Sequence, residues 1–261
     1  MYELVSALII AIVQGLTEWL PISSSGHLLI FHKILDYKFD LMFDVALHFG
    51  TLMAVFVYFG KDIIDILEDF LKLRIKSNNF KLGLLLIAAS VPAVVIGYFF
   101  ESFFELSFGN LGIVALGFAI TSVILLIASV DFRRLTKNKE EIGFSGALFV
   151  GLAQALAIFP GISRSGATIS SGLLMGLREK EAVKFSFLMA IPVIFGASIV
   201  EIGSNKLSPS LIWATIVAFI VGLITIHLML KFIVTKRKNL RWFALYCLLV
   251  ALGIAAYLIV F

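Results

Sequence analysis

Residues 14–27 read QGLTEWLPISSSGH and residues 154–167 read QALAIFPGISRSGA, and both break otherwise apolar sequence. The first holds groups that move protons or attack: Glu18, Ser24 and His27. A serine is a nucleophile only with a base close by, and Glu18 and His27 are the local candidates. Gln14 and Glu18 are four apart and share a helix face. An ionisable group inside a span costs about 2.5–3.5 kcal/mol on insertion scales, so Glu18 is expected to face a wet cavity or to pair with a Lys or Arg. Gln14 serves the same site or ties the segment together as a buried amide. Ser23, Ser24, Ser25, Gly26 and His27 open a helix, whose first N–H groups suit an anion and whose serines also cap.

The second segment continues as PGISRSGAT (160–168) and supplies a fixed cation. The planar fork of Arg164 matches phosphate, Gly161 and Gly166 admit close backbone approach, and Ser163, Ser165 and Thr168 add hydroxyls. The pattern reads as a phosphate clamp. Its alternative is an internal pair of Arg164 with Glu18, and the two states would exchange with and without ligand. Asp44 and His48, one helical turn apart, are polar where lipid would reject them and are expected to line the same cavity one layer behind.

These segments must be carried by membrane helices. The 261 residues are 61% hydrophobic and 15% charged, whereas soluble domains hold about 45–50% and about 25%. The composition excludes a soluble enzyme and predicts an all-α integral membrane protein of one domain, 1–261. Spans are expected near 41–60, 80–100, 110–130, 180–200, 210–231 and 240–261. Segments 4–35 and 142–177 differ, because their second arms are too short: His27–Leu35 would be about 14 Å of helix and Gly166–Leu177 about 18 Å. They are expected to be re-entrant hairpins, whose polar tips are tolerated where protein or water reaches them. Lys61–Lys76 is amphipathic and expected on the cytoplasmic surface. Glu179, Lys180, Glu181 and Lys184 read as interfacial charges, and His32 and His227 as structural. The start of the chain, with Glu3 and no basic residue before it, lacks the charged head of a secretory signal and is expected to remain. Cys247 alone makes no disulfide framework or thiolate cluster. The net charge of +4 is spread in short clusters between apolar runs, which argues against a nucleic-acid partner. No P-loop, dinucleotide fingerprint or Cys/His metal spacing occurs in the chain.

An offset of 140 aligns the two polar segments with six of fourteen positions identical, and sets Glu18 against Ile158, Ser24 against Arg164 and His27 against Ala167. Each half, about 1–130 and 141–261, then holds one hairpin and three spans. An odd number of spans makes the halves oppositely oriented, an inverted-topology repeat of a kind known from transporters. Seventeen of the 21 Lys and Arg residues fall on one side, in 61–81, 131–141, 177–184 and 231–241. By the positive-inside rule that side is cytoplasmic, and both termini and the first hairpin's entry lie outside.

The stretches QGLTE (14–18), SSSGH (23–27) and PGISRSGAT (160–168), with FDVALHFGTL (43–52) and FSFLMAIP (185–192), closely resemble the undecaprenyl-pyrophosphate phosphatase family, bacterial membrane enzymes associated with bacitracin resistance. The resemblance covers essentially the whole chain. It implies six spans and two re-entrant hairpins, removal of the terminal phosphate from an isoprenoid carrier pyrophosphate at the outer face of a bacterial plasma membrane, and a divalent cation, Mg²⁺ or Ca²⁺. At matching positions it implies roles for Glu18, Ser24, His27, Ser163, Arg164 and Thr168. Gln14 stands where that family shows Glu or Gln, so a two-carboxylate metal cage is doubtful and a cation would rest on Glu18 with Gln14. Attack by Ser24 and attack by an activated water both remain open. The isoprenoid tail would leave sideways into lipid, and a homodimer is compatible. The rival from another class is a transporter or flippase of a lipid phosphate or small anion, which needs binding groups but no nucleophile.

Overall fold

A computed structural model describes residues 2–38, 40–130, 139–202 and 209–260. Among them the chain is helical: α1 (Tyr2–Thr17), α2 (Ser24–Ile34), α3 (Leu41–Tyr58), α4 (Gly60–Leu71), α5 (Asn78–Phe99), α6 (Glu101–Phe108), α7 (Leu111–Ser129), α8 (Phe144–Leu156), α9 (Arg164–Leu174), α10 (Glu179–Ile202), α11 (Pro209–Thr235) and α12 (Leu240–Val260). A 3-10 turn, Arg237–Asn239, joins the last two. The protein is a multi-span membrane protein. Among the described residues five helices are long and apolar enough to cross a bilayer, within 41–58, 78–99, 111–129, 210–232 and 237–260. α10 has 24 residues and opens with charge at Glu179 and Glu181. Helix starts follow local chemistry: Asp40, Ser77 and Asn110 each accept a hydrogen bond from a first-turn N–H, at Met42, Phe80 and Gly112.

Helix packing follows an exchange between halves. α1 packs on α11 while α8 packs on α5, α3 lies on α11 while α10 lies on α5, and α7 pairs with α12 and α3 with α10. Small residues make the close approaches, as is usual where lipid is as apolar as the helix surface. A side chain at Gly50 would strike the carbonyl of Thr215, and one at Gly151 the carbonyl of Ala89. Gly117 of α7 lies against Pro160 and Gly161, so α7 forms the floor of the second polar segment.

Two details differ from expectation. The amphipathic segment ends at Leu71 rather than Lys76, because Leu73 takes a positive φ of 49° and the Arg74 N–H turns back to the Asp69 carbonyl. A short helix, α6, stands between the second and third expected spans, in a stretch where no element was expected. Of the basic residues in the charge count, those within 131–138 and Lys206 lie outside the described residues. Lys184 joins α10 to Asp62 of α4 at 2.5 Å, as suits an interfacial charge.

Replacing Gly117 by Val should destabilise the protein by about 1–3 kcal/mol, as overpacking does, because the added atoms meet backbone rather than a flexible side chain. Gly253→Val, where nothing stands within 4 Å of the added carbon, is the control. Equal unfolding midpoints in detergent for the two variants would show that the α7 contact is not tight.

Candidate active site between two hairpin tips

Each polar segment is the turn of a helical hairpin. α1 ends at Thr17, and the chain turns through Glu18–Ile22 to Ser23, the N-cap of α2. Ser23 has φ 69°, a left-handed conformation that costs a non-glycine residue of order 1–3 kcal/mol. It is held there because its hydroxyl accepts the Gly26 N–H at 3.2 Å. The second turn puts its positive φ, 88°, on Gly161, and Ser163 caps α9 by accepting the Gly166 N–H at 3.0 Å. The repeat is therefore closer in sequence than in backbone: the counterpart of Gly161 is Pro21.

The tips meet. Ser165 donates to the Leu20 carbonyl at 2.9 Å, and the space beside Gly26 is filled by Gly161 and the Phe118 ring. Thr121 of α7 braces the second tip twice, donating to Gly161 O at 3.0 Å and accepting from Ser163 N at 2.9 Å.

At this junction lies Glu18. Its Oε1 accepts from Arg164 Nη2 at 2.7 Å, across 146 residues of chain. Its Oε2 accepts from the Ser24 hydroxyl at 2.7 Å and from Gln14 Nε2 at 3.0 Å, with His48 Nε2 at 3.5 Å. The carboxylate side chain is 4% exposed, against 15% for Arg164 and 28% for His48, so solvent enters past these two partners. Arg164 is positioned by its neighbours. The guanidinium lies 5.3 Å from the Trp19 ring, Nη1 reaches Ser186 O at 3.4 Å, and Thr168 ties Arg164 O at 2.8 Å to the Ser186 hydroxyl at 2.6 Å.

The expected residues divide by position. Gln14, Glu18, Ser24, Arg164 and His48 converge. Ser23 and Ser163 spend their hydroxyls on caps, Ser25 Oγ lies 3.4 Å from Ser23 Oγ, and Ser165 and Thr168 spend theirs on the tip contact and on Ser186. Those of Ser23, Ser163, Ser165 and Thr168 hold the tips together, while Ser25 stays half-exposed. His27 turns elsewhere, with Nδ1 on Ser23 O and Nε2 on Tyr246 OH, both at 2.6 Å, and its ring stacked on Tyr246. Of the two local candidates, Glu18 rather than His27 is thus in contact with Ser24. Asp44 also departs from the expected cavity lining: its carboxylate pairs with His32 at 2.9 Å, and it is the Asp44 carbonyl that takes His48 Nδ1, at 2.7 Å.

Trp19, Thr121 and Ser186 were not anticipated. Trp19 could have been flagged as an indole beside an ionisable residue at membrane depth, and Ser186 lies inside one of the conspicuous stretches. Thr121 carries no signal within its apolar run.

The charges define what the site accepts. A phosphate drawn to Arg164 must displace or share Glu18, and a diphosphate beside that carboxylate leaves excess negative charge. A hard cation fits this place. Mg²⁺ typically takes one or two carboxylates plus substrate phosphate oxygens, and here stand one carboxylate and the buried Gln14 Oε1, which has no hydrogen-bond partner. Among the described residues no three His, Cys, Asp or Glu side chains form an all-protein metal cage.

Thr121→Val should lower the unfolding midpoint in detergent, since two buried backbone groups at the second tip lose their partner, at about 1–3 kcal/mol each. Thr121→Ser should restore it; no difference between Val and Ser would remove the brace from the account.

Comparison with known proteins adds an independent line. The family model for bacitracin resistance protein BacA matches residues 7–253. The undecaprenyl-diphosphatase of Thermosipho melanesiensis is 42% identical over 94% of this chain and 96% of its own length. Those of Rubrobacter xylanophilus and Methanococcus vannielii are 40% and 37% identical, covering 99% and 96% of this chain and 100% and 99% of their own.

Proposed function

The chain belongs to the bacitracin resistance protein BacA family, and we propose that its reaction is performed where Arg164 and Glu18 join the two hairpin tips. The protein is a membrane phosphatase, an undecaprenyl-diphosphatase: it hydrolyses undecaprenyl pyrophosphate to undecaprenyl phosphate and inorganic phosphate, recycling the lipid carrier of cell-wall synthesis. The observation that carries the site is one carboxylate, Glu18, bonded at once to a fixed cation and to a serine hydroxyl.

In this reading Arg164 exchanges Glu18 Oε1 for the diphosphate, with the first N–H groups of α2 and α9 facing the same charge. Phosphoryl transfer proceeds through a loose transition state whose charge lies on the phosphoryl oxygens, so positioning and electrostatics dominate. Glu18 Oε2 takes the Ser24 proton as Ser24 Oγ bonds to the terminal phosphorus. The bond from that phosphorus to the bridging oxygen breaks, and undecaprenyl phosphate leaves with the proton returned from Glu18. Water, deprotonated by the same carboxylate, then attacks the phosphoserine phosphorus; the bond to Ser24 Oγ breaks, Glu18 returns the proton to that oxygen, and inorganic phosphate is released. A Mg²⁺ or Ca²⁺ ion held by Glu18 and the Gln14 amide oxygen would neutralise phosphoryl charge. His27 anchors the first tip to α12 through Tyr246. A carrier of lipid phosphate is not favoured, since it needs no hydroxyl on a base.

The fold reading is that α10 supplies a sixth span and that α1–α2 and α8–α9 are re-entrant. Support comes from length: α1 and α8, with 16 and 13 residues, reach about 24 and 20 Å, short of the ~30 Å hydrocarbon core. The exchanged packing of α1 on α11 and α8 on α5 supports two inverted halves of one domain. The loop charges support a cytoplasmic α4 face, with the termini and the site facing outward.

Arg164→Ala should reduce phosphate release from undecaprenyl pyrophosphate by about 10³-fold or more, the scale of a transition-state arginine. Arg164→Lys should recover only part, and Ser24→Ala should remove phosphoserine formation as well as turnover. A folded Arg164→Ala protein with near-normal release, or a fully active Ser24→Ala, would overturn the site or the nucleophile respectively. For topology, a cysteine at Lys38 should react with impermeant thiol reagents applied from outside and one at Lys76 should not; the opposite pattern would invert the orientation.

A further inference from the structure

A cavity of about 940 Å³ lies beside the first hairpin, between α11 and α12. Leu20 and His27 line it from the hairpin, Leu228 and Tyr246 from the two long helices, and Lys231 and Trp242 stand one helical turn nearer the Arg237–Asn239 connection. The corresponding flank of the other half is built differently. There the chain inserts α6 between α5 and α7, and Phe104 and Phe103 pack edge-on to Phe159 of the second tip, with ring centroids 4.9 and 5.8 Å apart. Between α11 and α12 the connection is a single 3-10 turn that inserts nothing. One half thus packs phenylalanines against its hairpin tip, while the other leaves a recess beside its own.

An apolar recess open to a bilayer takes hydrocarbon, because neither water nor an empty void is favourable there. The charge at its turn-side end decides which lipid. Lys231 lines that end, Arg241 lies over the Trp242 ring at 5.4 Å, and Lys238 sits in the turn. Trp marks interfacial depth, and basic pockets between membrane helices recognise anionic headgroups.

We propose that this recess binds an anionic phospholipid, with one acyl chain between α11 and α12 against the first hairpin and the phosphate against Lys231 and Arg241. A phospholipid is chosen over an isoprenoid phosphate by mass action, since it is in large excess in the membrane and the lining contains no group that would read a branched chain. The bound chain touches Leu20 and His27, on the same tip that presents Glu18 and Ser24. It therefore stabilises the catalytic hairpin. The comparison between halves rests on the inverted-repeat reading, and the leaflet involved rests on the topology above; the site itself rests on neither.

The test is thermal unfolding of the purified protein in detergent with phosphatidylglycerol, phosphatidylcholine or farnesyl phosphate at equal mole fraction. Phosphatidylglycerol should raise the midpoint of the wild-type protein and phosphatidylcholine should not. Leu228→Trp, which fills the recess, should lose that shift. Arg241→Gln, at an exposed position, should weaken it and serves if the first variant fails to fold. Equal shifts with the two phospholipids, or a shift unchanged in both variants, would overturn the site, and a larger shift with farnesyl phosphate would overturn the choice of occupant. None of these readouts depends on the leaflet, so a failed site is distinguishable from a failed topology, which the Lys38 and Lys76 cysteines report.

Discussion

A carboxylate and a guanidinium at membrane depth are tolerable only together. Removing either member of a buried pair leaves an uncompensated charge at a cost of about 3–5 kcal/mol, and here the partners, Glu18 and Arg164, come from opposite halves of the chain. The ion pair therefore requires the two hairpin tips to meet. Much of the remaining architecture answers that requirement: Thr121 braces one tip from below, Ser165 ties it to the other, and Gly117, Gly161 and Gly26 keep the intervening backbone bare enough to touch.

The same pair gives the site its chemistry. In the proposed mechanism, a fork already satisfied by a carboxylate is aimed before substrate arrives, and releasing it from Glu18 frees that carboxylate to accept the Ser24 proton. Structure and catalysis thus draw on one interaction in two states. The hydroxyl-rich tips, which look in sequence like a bed of phosphate donors, are used mainly to make the junction rigid. Ser23, Ser163, Ser165 and Thr168 hold the geometry, and Ser24 alone of the first tip's serines donates to the carboxylate.

The halves share a pattern and differ in its use. Exchanged helix packing treats them alike, yet one tip carries a carboxylate and a serine hydroxyl and the other a fixed cation. One flank is closed by α6 and the other is open toward lipid. Such divergence gives a scaffold of similar halves two unlike features, a charged junction between the tips and an apolar recess at one flank.

The long helices were legible because apolar length is a local property of the chain: 41–58, 111–129 and 240–260 fall within a few residues of their expected limits. The polar breaks and the serine caps were legible for the same reason, and so were the chemical types at the tips. What sequence could not decide was which side chains touch. It offered His27 and Glu18 equally as a base for Ser24, put Asp44 in the cavity, left the Arg164 and Glu18 pairing as an alternative to a clamp, and hid Thr121. Those outcomes depend on how helices far apart in the chain are rotated and pressed together. His27 finds Tyr246 219 residues away and Arg164 finds Glu18 at 146, and no local pattern of residues encodes a contact that only the packed bundle creates.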